Sequence, residues 1–283
     1  MPEKVPYHAI VSLALEEDIG SGDITTEAIY SGSEYAEAEL IAKDTGIIAG
    51  IELAAYIYEM LDSGIEFEQK MKDGDKVEGG QLIATAKGPA NVLLSAERTI
   101  LNFMQRMSGV ASTTRLFVDA IHHTNASILD TRKTIPGFRY LDKWAVRLGG
   151  GTNHRYRLDD QFLIKENHIS VAGSPEAAIS HCAKLRDRMD PELLIEIEVT
   201  DLAMLEQVLR HGQADMVMLD NMSLEDMEEA VAKSEGRVKL EASGNVNIDT
   251  VAGIAETGVD YISSGALTHS AKALDISMIF ADH

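Results

Sequence analysis

The stretch LLIEIEVTDLAMLEQVLRHGQADMVMLDNMSLEDMEEAVAKSEGRVKLEASGN, residues 193–245, decides the fold. Three short apolar segments alternate here with two amphipathic segments of helical spacing. The apolar segments are Leu193–Val199, Met216–Leu219 and Val238–Leu240, and the amphipathic ones are Asp201–His211 and Ser223–Ser234. Continuous apolar strands separated by helices are typical of a parallel sheet covered by helices. The stretch therefore predicts repeated strand–helix units.

Residues at the predicted strand ends recur at an equal spacing. They are Glu198, Asp220, Ala242 and Ser264, each 22 residues after the one before. A strand, a helix and two short loops need about this length, and equal repeats favour a closed barrel over an open sheet. Since only six or seven candidate strands lie between residues 126 and 263, the pattern predicts an incomplete α/β barrel.

The first third of the chain has a different pattern. Helical spacing covers Ala9–Asp18 and Gly50–Leu61, and strand-like alternation covers Ala36–Ala42 and much of Lys72–Gly88. A long helical pattern, Ser95–Ala120, then leads towards the barrel. The sequence therefore predicts a first domain of mixed helix and strand.

Composition limits the class of protein. The 283 residues are 45% hydrophobic and 25% charged, the balance of an ordinary globular protein. No apolar run of about eighteen residues is present, so we expect no membrane span. The start, MPEKVPYHAI, lacks the features of a secretory signal. Cys182 is the only cysteine and can form no internal disulfide, so we expect a cytoplasmic protein.

The formal net charge of −21 argues against a nucleic-acid partner, yet the basic residues are unevenly distributed. Eleven of the 25 Lys and Arg residues lie between Arg98 and Lys165. They indicate either an anion-binding site or helices with cationic outer faces. We expect Arg115, Lys143 and Arg147 to be ordinary charges on helix surfaces.

Polar residues stand at the end of nearly every predicted barrel strand. They are Asp130-Thr131-Arg132-Lys133, Lys165-Glu166-Asn167-His168, Glu198, Asp220-Asn221, Ser243-Gly244-Asn245 and Ser264-Gly265. The loop GGGTNHR, residues 149–155, adds His154 and Arg155. Because active sites of βα barrels form at the C-terminal ends of the strands, we expect these side chains to converge.

The converging side chains fall into chemical sets. Five form a cationic patch: Arg132, Lys133, His154, Arg155 and Lys165. Such a patch repels itself unless it binds an anion with several charges. Glu198 and Asp220 are hard oxygen ligands suited to Mg²⁺, and the two Ser-Gly pairs can present N–H groups to a phosphate. Together they indicate an anionic substrate, a metal and a phosphorylated co-substrate.

Taken one at a time, these residues allow other interpretations. Lys165 alone is most typical of a lysine at the edge of the core, and a Schiff-base nucleophile is a less favoured alternative. Asp220 is well placed to cap the following helix. Ser-Gly pairs are common in turns. Only the joint arrangement indicates an active site.

Seven ordered motifs resemble the quinolinate phosphoribosyltransferase family, the type II phosphoribosyltransferases. They are DTRKTIPGFR (130–139), KWAVRLGGGTNHRYRL (143–158), LIKENH (163–168), EIEV (196–199), MLDN (218–221), LEASGN (240–245) and SSGALTHS (263–270). The resemblance extends from EEDIGSGDITT, residues 16–26, to ALDIS, residues 273–277. It therefore covers almost the whole chain.

The resemblance implies a domain organisation and an assembly. It implies an N-terminal α+β open sandwich over residues 1–108 and an incomplete six- to seven-stranded α/β barrel over residues 109–270. A C-terminal helix over residues 271–283 is expected to return to the first domain. The resemblance also implies a homodimer, with a higher oligomer left open, in which Arg98 reaches the partner's active site.

The resemblance also implies residue roles. Thr131, Arg132, Lys133, His154, Arg155 and Lys165 match positions that bind quinolinate. Glu198 and Asp220 match the acids near the ribose and Mg²⁺ of phosphoribosyl pyrophosphate, and with Lys133 and Lys165 they form the expected catalytic set. Ser243–Asn245 and Ser264–Ala266 match contacts to the 5′-phosphate. Many members have Ser-Gly-Gly where this chain has Ser-Gly-Asn, a change that Asn245 can accommodate because Asn tolerates positive φ.

The reaction so implied converts quinolinate and phosphoribosyl pyrophosphate to nicotinate mononucleotide, pyrophosphate and CO₂. Three alternatives remain at this point. One is a molybdenum-associated paralogue of the same fold, and another is a Schiff-base lyase that uses Lys165. The third is a binding protein without catalysis, against which Glu198 and Asp220 argue.

Overall fold

The computed structural model describes residues 5–30 and 34–280, which form two compact units. Unit 1 contains the described residues up to Arg115, Ile135–Gly150 and the residues from Ser270 onward. Unit 2 contains Leu116–Thr134 and Gly151–His269. Residues 109–115 and 135–150, which were expected in the barrel domain, belong to unit 1.

The helices and strands of the described residues are as follows. The helices are α1 (His8–Ile19), α2 (Ile24–Ile29), α3 (Ile51–Leu61), α4 (Ala90–Ala120), α5 (Arg139–Leu148), α6 (Glu166–Ala172), α7 (Pro175–Met189), α8 (Leu202–His211), α9 (Leu224–Ser234), α10 (Val251–Glu256) and α11 (Ala266–His269). The strands are β1 (Tyr35–Ala42), β2 (Gly46–Ile47), β3 (Glu66–Gln69), β4 (Lys76–Val77), β5 (Leu82–Pro89), β6 (Ser127–Leu129), β7 (Phe162–Ile164), β8 (Ile195–Val199), β9 (Met216–Asp220), β10 (Lys239–Ser243), β11 (Tyr261–Ser263) and β12 (Ile276–Phe280).

Unit 1 is built on a four-stranded antiparallel sheet in the order β12-β1-β5-β3. Alternate residues of β1, namely Ala38, Leu40 and Ala42, are buried, as period-two alternation requires for a sheet with one covered face. A second, two-stranded sheet pairs β2 with β4. The expected sandwich of helix and strand is therefore present.

The C-terminal segment corrects one expectation. Residues 276–280 were predicted to be helical, but they form β12, which pairs antiparallel with β1. Ile276 and Met278 are buried while Ile279 is 43% exposed, so the segment follows a two-residue period that a helix would break. The prediction of a helix is wrong here, and residues 281–283 lie outside the described part.

Unit 2 contains a six-stranded parallel sheet in the order β6-β11-β10-β9-β8-β7. Thr152 adds a parallel bridge to Leu129 beside the outer edge of β6. Helices follow the strands in sequence, which confirms the predicted incomplete α/β barrel. The helices α8 and α9 lie within one residue of their predicted bounds.

Capping side chains explain where three helices of unit 2 begin. Ser174 and Asp201 accept hydrogen bonds from the backbone three residues on, at the starts of α7 and α8. Ser223 caps α9 in the same way, accepting from Asp226 N at 3.1 Å. Because Ser223 provides this cap, Asp220 remains at the strand end, and the interpretation of Asp220 as the cap of α9 is wrong.

Some of the basic residues between Arg98 and Lys165 are buried within unit 1. Arg106 forms an ion pair with the fully buried Asp142 at 3.0 Å, and the neighbouring Lys143 is only 2% exposed. The expectation that Lys143 is a surface charge is therefore wrong, whereas Arg147 is exposed. Of the described helices, none has both the length and the apolar character of a membrane span.

Candidate active site

A cavity of about 510 Å³ lies at the C-terminal ends of the unit 2 strands. Eleven of the predicted site residues line it: Thr131, Arg132, Lys133, His154, Arg155, Lys165, Glu198, Asp220, Ser243, Gly244 and Asn245. They come from the ends of β6, β7, β8, β9 and β10 and from the loop before β7. Parallel strands carry their C-terminal ends to one edge, which is why residues far apart in sequence meet here.

The basic side chains on one side of the cavity repel one another when no anion is bound. Burial, and then the positive charge of Arg132, lowers the pKa of Arg155. Lys133 and Lys165 line the same cavity. Because like charges raise one another's energy when they share a partly buried site, this side of the cavity favours an anionic ligand.

The loop that carries Lys133 is fixed at both of its main-chain groups. Lys133 N donates to Thr131 Oγ1 at 3.0 Å, and the buried Thr268 donates its hydroxyl to Lys133 O at 2.9 Å. Gly265 lies against this lysine, since a Cβ on Gly265 would approach the Lys133 side chain to 2.9 Å. The absence of a side chain at Gly265 thus gives Lys133 room beside α11.

Two acids face the cavity from neighbouring strands. Glu198 on β8 is ion-paired with Lys165, and its side chain is 15% exposed. Asp220 ends β9, where the register places it two residues beyond Met218, the partner of Glu198. Both acids offer carboxylate oxygens in one cavity, the donor type that Mg²⁺ prefers.

A buried ionic cluster adjoins the cavity. We define it as His154, Glu196 and Glu241, in which both glutamates are fully buried. His154 Nε2 lies 3.0 Å from Glu196 and 3.3 Å from Glu241, and His154 Nδ1 lies 2.7 Å from Arg155 N. Both ring nitrogens of His154 therefore have protein partners, and its predicted contact with a substrate carboxylate stays a prediction.

Protonation within the buried ionic cluster follows from its geometry. Burial raises the pKa of Glu196 to about 7, and the hydrogen bond from His154 opposes that rise only in part. Burial alone would lower the pKa of His154, but hydrogen bonds to Glu196 and Glu241 outweigh it and raise the value to about 10. A protonated His154 and a partly protonated Glu196 therefore limit the negative charge that is buried at neutral pH.

The buried ionic cluster is also the one set in the described residues with the spacing of three metal ligands, since its donor atoms lie within 4.8 Å of one another. Gln161 donates to Glu196 at 2.8 Å, and His154 supplies the positive partner of both carboxylates. The cluster is thus accounted for as an ion-pair network. Glu198 and Asp220, in contrast, line the cavity itself.

The predicted phosphate-binding residues divide into two groups. Ser243, Gly244 and Asn245 line the cavity, whereas Ser264, Gly265 and Ala266 do not. The Ser264 hydroxyl donates to Val246 O at 2.9 Å and also accepts from Ala266 N at 3.3 Å. Ser263 lines the cavity in its place and donates to Ser243 Oγ at 3.1 Å.

Arg98 lies outside the set of residues that line the unit 2 cavity. It is exposed on the part of α4 that belongs to unit 1. Its predicted role in a partner's active site stays a prediction.

Several residues of the site were not among the predicted ones. Glu241 and Ser263 line the cavity, and Glu196 belongs to the buried ionic cluster. Strand alternation was the signal that could have found two of them. Glu196 lies two residues before Glu198, and Glu241 lies two residues before Ser243, so each shares a strand face with a predicted site residue.

Comparison with known proteins identifies two matching domain families. The C-terminal domain of quinolinate phosphoribosyl transferase matches residues 110–279, and the N-terminal domain of the same family matches residues 23–108. Together the two matches cover most of the chain.

Individual relatives agree with these matches. The chain is 44% identical to quinolinate phosphoribosyltransferase (decarboxylating) 1b of Nicotiana tabacum, over 95% of this chain and 81% of that protein. It is 42% identical to a probable carboxylating nicotinate-nucleotide pyrophosphorylase of Bacillus subtilis, over 93% and 89%. The solved nicotinate-nucleotide pyrophosphorylase of Francisella tularensis superposes with a TM-score of 0.93 at 42% identity, over 98% of each chain.

Proposed function

Since this chain belongs to the quinolinate phosphoribosyltransferase family, we propose that its unit 2 cavity joins quinolinate to phosphoribosyl pyrophosphate. The chain is a phosphoribosyltransferase of NAD biosynthesis, a pentosyltransferase. The products are nicotinate mononucleotide, pyrophosphate and CO₂. The protein's relatives thus identify the reaction, and the geometry of the cavity supports the roles of its residues.

One observation carries the assignment of the cavity. Four basic side chains, Arg132, Lys133, Arg155 and Lys165, line one space, where burial and then the charge of Arg132 lower the pKa of Arg155. A pyridine with two adjacent carboxylates supplies the two negative charges that such a pocket needs. Arg can bind a carboxylate with two parallel hydrogen bonds, which fixes the ring as well as neutralising it.

The proposed chemistry begins when the ring nitrogen of quinolinate attacks the anomeric carbon of the ribose and pyrophosphate leaves. Glu198 and Asp220 stabilise the positive charge that develops on the ribose. The nitrogen is then a pyridinium, whose positive charge stabilises the carbanion left on the adjacent carbon when its carboxylate leaves as CO₂. That carbon then takes up one proton from water, which gives the C–H bond of the product. Arg132, Lys133, Arg155 and Lys165 hold the ring in the attacking orientation.

Mg²⁺ is the cofactor we propose, with Glu198 and Asp220 as the residues that would hold it, directly or through water. Both supply hard oxygen donors on neighbouring strands of one cavity. Bound there, Mg²⁺ would neutralise charge on the pyrophosphate group. The ion pair between Lys165 and Glu198 keeps the glutamate oriented before the substrates bind.

We further propose a cytoplasmic homodimer in which each cavity is completed by Arg98 of the other subunit. Arg98 is exposed on α4 and is absent from the lining of its own unit 2 cavity. A third arginine would increase the positive potential that selects a dicarboxylate over a monocarboxylate. The single Cys182 is compatible with a reducing compartment.

A Schiff-base mechanism is disfavoured by the partner of Lys165. Its ammonium is held by the Glu198 carboxylate, the arrangement of a charge-binding group, whereas a lysine nucleophile needs an unprotonated amine. Borohydride trapping with a carbonyl substrate should therefore leave Lys165 unmodified.

The proposed function is tested by product formation and by a paired substitution. Purified protein with quinolinate, phosphoribosyl pyrophosphate and Mg²⁺ should yield nicotinate mononucleotide. Arg132→Ala should raise KM for quinolinate on the order of a hundredfold, whereas Arg157→Ala, at a side chain 67% exposed outside the cavity, should change it little. Turnover of nicotinate in place of quinolinate would overturn the proposal.

A further inference from the structure

Two asparagines with left-handed backbone conformation meet at the cavity. Asn221 follows β9 with φ 55°, and Asn245 follows β10 with φ 53°. Asn245 Nδ2 donates a hydrogen bond to Asn221 Oδ1 at 2.9 Å, and both residues line the cavity. Positive φ is uncommon outside glycine, although Asn adopts it more readily than most residues. The chain therefore accepts a local backbone cost at two adjoining strand ends.

The surrounding backbone holds these residues together. Asn221 N donates to Ser243 O at 2.9 Å. Gly244, with φ 95°, leaves room for the Asn221 carboxamide, with which any Cβ at this position would collide. The loops after β9 and β10 are thus joined by one main-chain and one side-chain hydrogen bond. We call the side-chain contact between Asn221 and Asn245 the asparagine clasp.

We propose that the asparagine clasp positions Asp220 relative to Ser243 and Gly244, and thereby sets the affinity for phosphoribosyl pyrophosphate. This inference rests on the proposed function. Asp220 directly precedes Asn221, and Ser243-Gly244 directly precede Asn245. Phosphoribosyl pyrophosphate would extend from Asp220, beside its ribose, to Ser243 and Gly244, beside its 5′-phosphate. Its binding therefore needs these two parts of the cavity held at a fixed spacing. Asn245 is accordingly a positioning residue that acts through its neighbours.

Loss of the asparagine clasp should weaken the binding of phosphoribosyl pyrophosphate and leave the free energy of unfolding nearly unchanged. Both asparagines are exposed, and one exposed hydrogen bond adds little to the free energy of unfolding. Asn245→Gly removes the carboxamide while glycine adopts positive φ without cost. We expect this variant to raise KM for phosphoribosyl pyrophosphate on the order of fivefold, with kcat and KM for quinolinate unchanged within about twofold.

A double-mutant cycle tests whether the two asparagines act as a pair. Asn221→Gly should raise the same KM to a similar extent. The variant with both substitutions should be no worse than either single variant, because the second change has no contact left to remove. Direct calorimetric measurement of the Kd for phosphoribosyl pyrophosphate should follow the same pattern.

Glu235→Gly is the matched control. Glu235 also has positive φ, 49°, but it lies at the end of α9 and does not line the cavity, so its replacement should leave KM and Kd unchanged. An unchanged KM and Kd in Asn245→Gly would overturn the inference, as would a double variant whose loss equals the product of the single losses. Absence of turnover in the wild-type protein would contradict the proposed function instead, and the calorimetric cycle would still decide whether the clasp controls donor binding.

Discussion

At the scale of single residues, the buried ionic cluster sets the strongest constraint on substitution. Glu196 and Glu241 are both fully buried and both contact His154. Removing the cationic partner of buried carboxylates leaves their charge uncompensated, which costs roughly 3–5 kcal/mol. We expect His154→Ala to lower the free energy of unfolding by about this amount, measured by urea denaturation at neutral pH.

A second substitution separates electrostatics from lost packing. Glu241→Gln removes one negative charge with almost no change in shape, so in the His154→Ala background it should restore a large part of the lost stability. If the double variant is as unstable as His154→Ala alone, the cost arises from the cavity left by the imidazole, and the electrostatic account of the cluster is wrong.

The residues that sequence analysis could find were those marked by their position at a strand end. Lys165 directly follows an apolar segment, Asp220 ends one and Arg132 lies three residues after one, and all three line the cavity. Glu196 and Glu241 lie within apolar strands, where a charged residue is unexpected without knowledge of its partner. That partner, His154, comes from a loop more than forty residues away from Glu196 in sequence, and local patterns carry no information about such a pairing.

At the scale of elements, the last strand gives a direct test of register. Met278 on β12 is 8% exposed and pairs with Leu40, whereas Ile279 is 43% exposed and pairs with Glu39. Met278→Asp should lower the free energy of unfolding by about 3 kcal/mol, because it buries a carboxylate without a partner. Ile279→Asp should change it far less. Thermal and denaturant melting of the two variants would measure the difference, and equal losses would contradict the strand register.

Most elements could be predicted because their boundaries are locally encoded. The helices α8 and α9 begin after Asp201 and Ser223, whose side chains cap them, and both were predicted. The last strand, β12, could not be assigned in the same way. Its five residues pair with β1, which lies more than two hundred residues earlier in the chain. This tertiary pairing determines a conformation that local propensity alone does not.

At the scale of the whole molecule, the proposed sharing of Arg98 is tested by mixing inactive variants. Arg98→Ala and Lys165→Ala should each be nearly inactive. When the two are dissociated and reassembled together, mixed dimers should contain one intact site, which gives about a quarter of wild-type activity. A mixture of Arg132→Ala with Lys165→Ala should regain none, since both changes affect cavities within their own subunits. No gain in the first mixture would show that Arg98 does not act across subunits.

The division of the chain into units could not be predicted fully from sequence patterns. Residues 135–150 belong to unit 1 although residues on both sides of them belong to unit 2. The amphipathic pattern of α5 predicts that one face of the helix is buried, and Asp142 and Lys143 lie among its buried residues. Nothing local shows that this face is buried within unit 1, because Arg106, the partner of Asp142, lies 36 residues away.

The most direct test of the central claim follows the two carboxylates of quinolinate separately. With phosphoribosyl pyrophosphate and Mg²⁺, quinolinate labelled in the carboxylate next to the ring nitrogen should release its label as CO₂ in an amount equal to the nicotinate mononucleotide formed. Quinolinate labelled in the other carboxylate should retain all of its label in the nucleotide. Release of CO₂ without nucleotide, or a nucleotide that keeps both labels, would contradict the account of a cationic pocket that holds the ring while its nitrogen becomes a pyridinium.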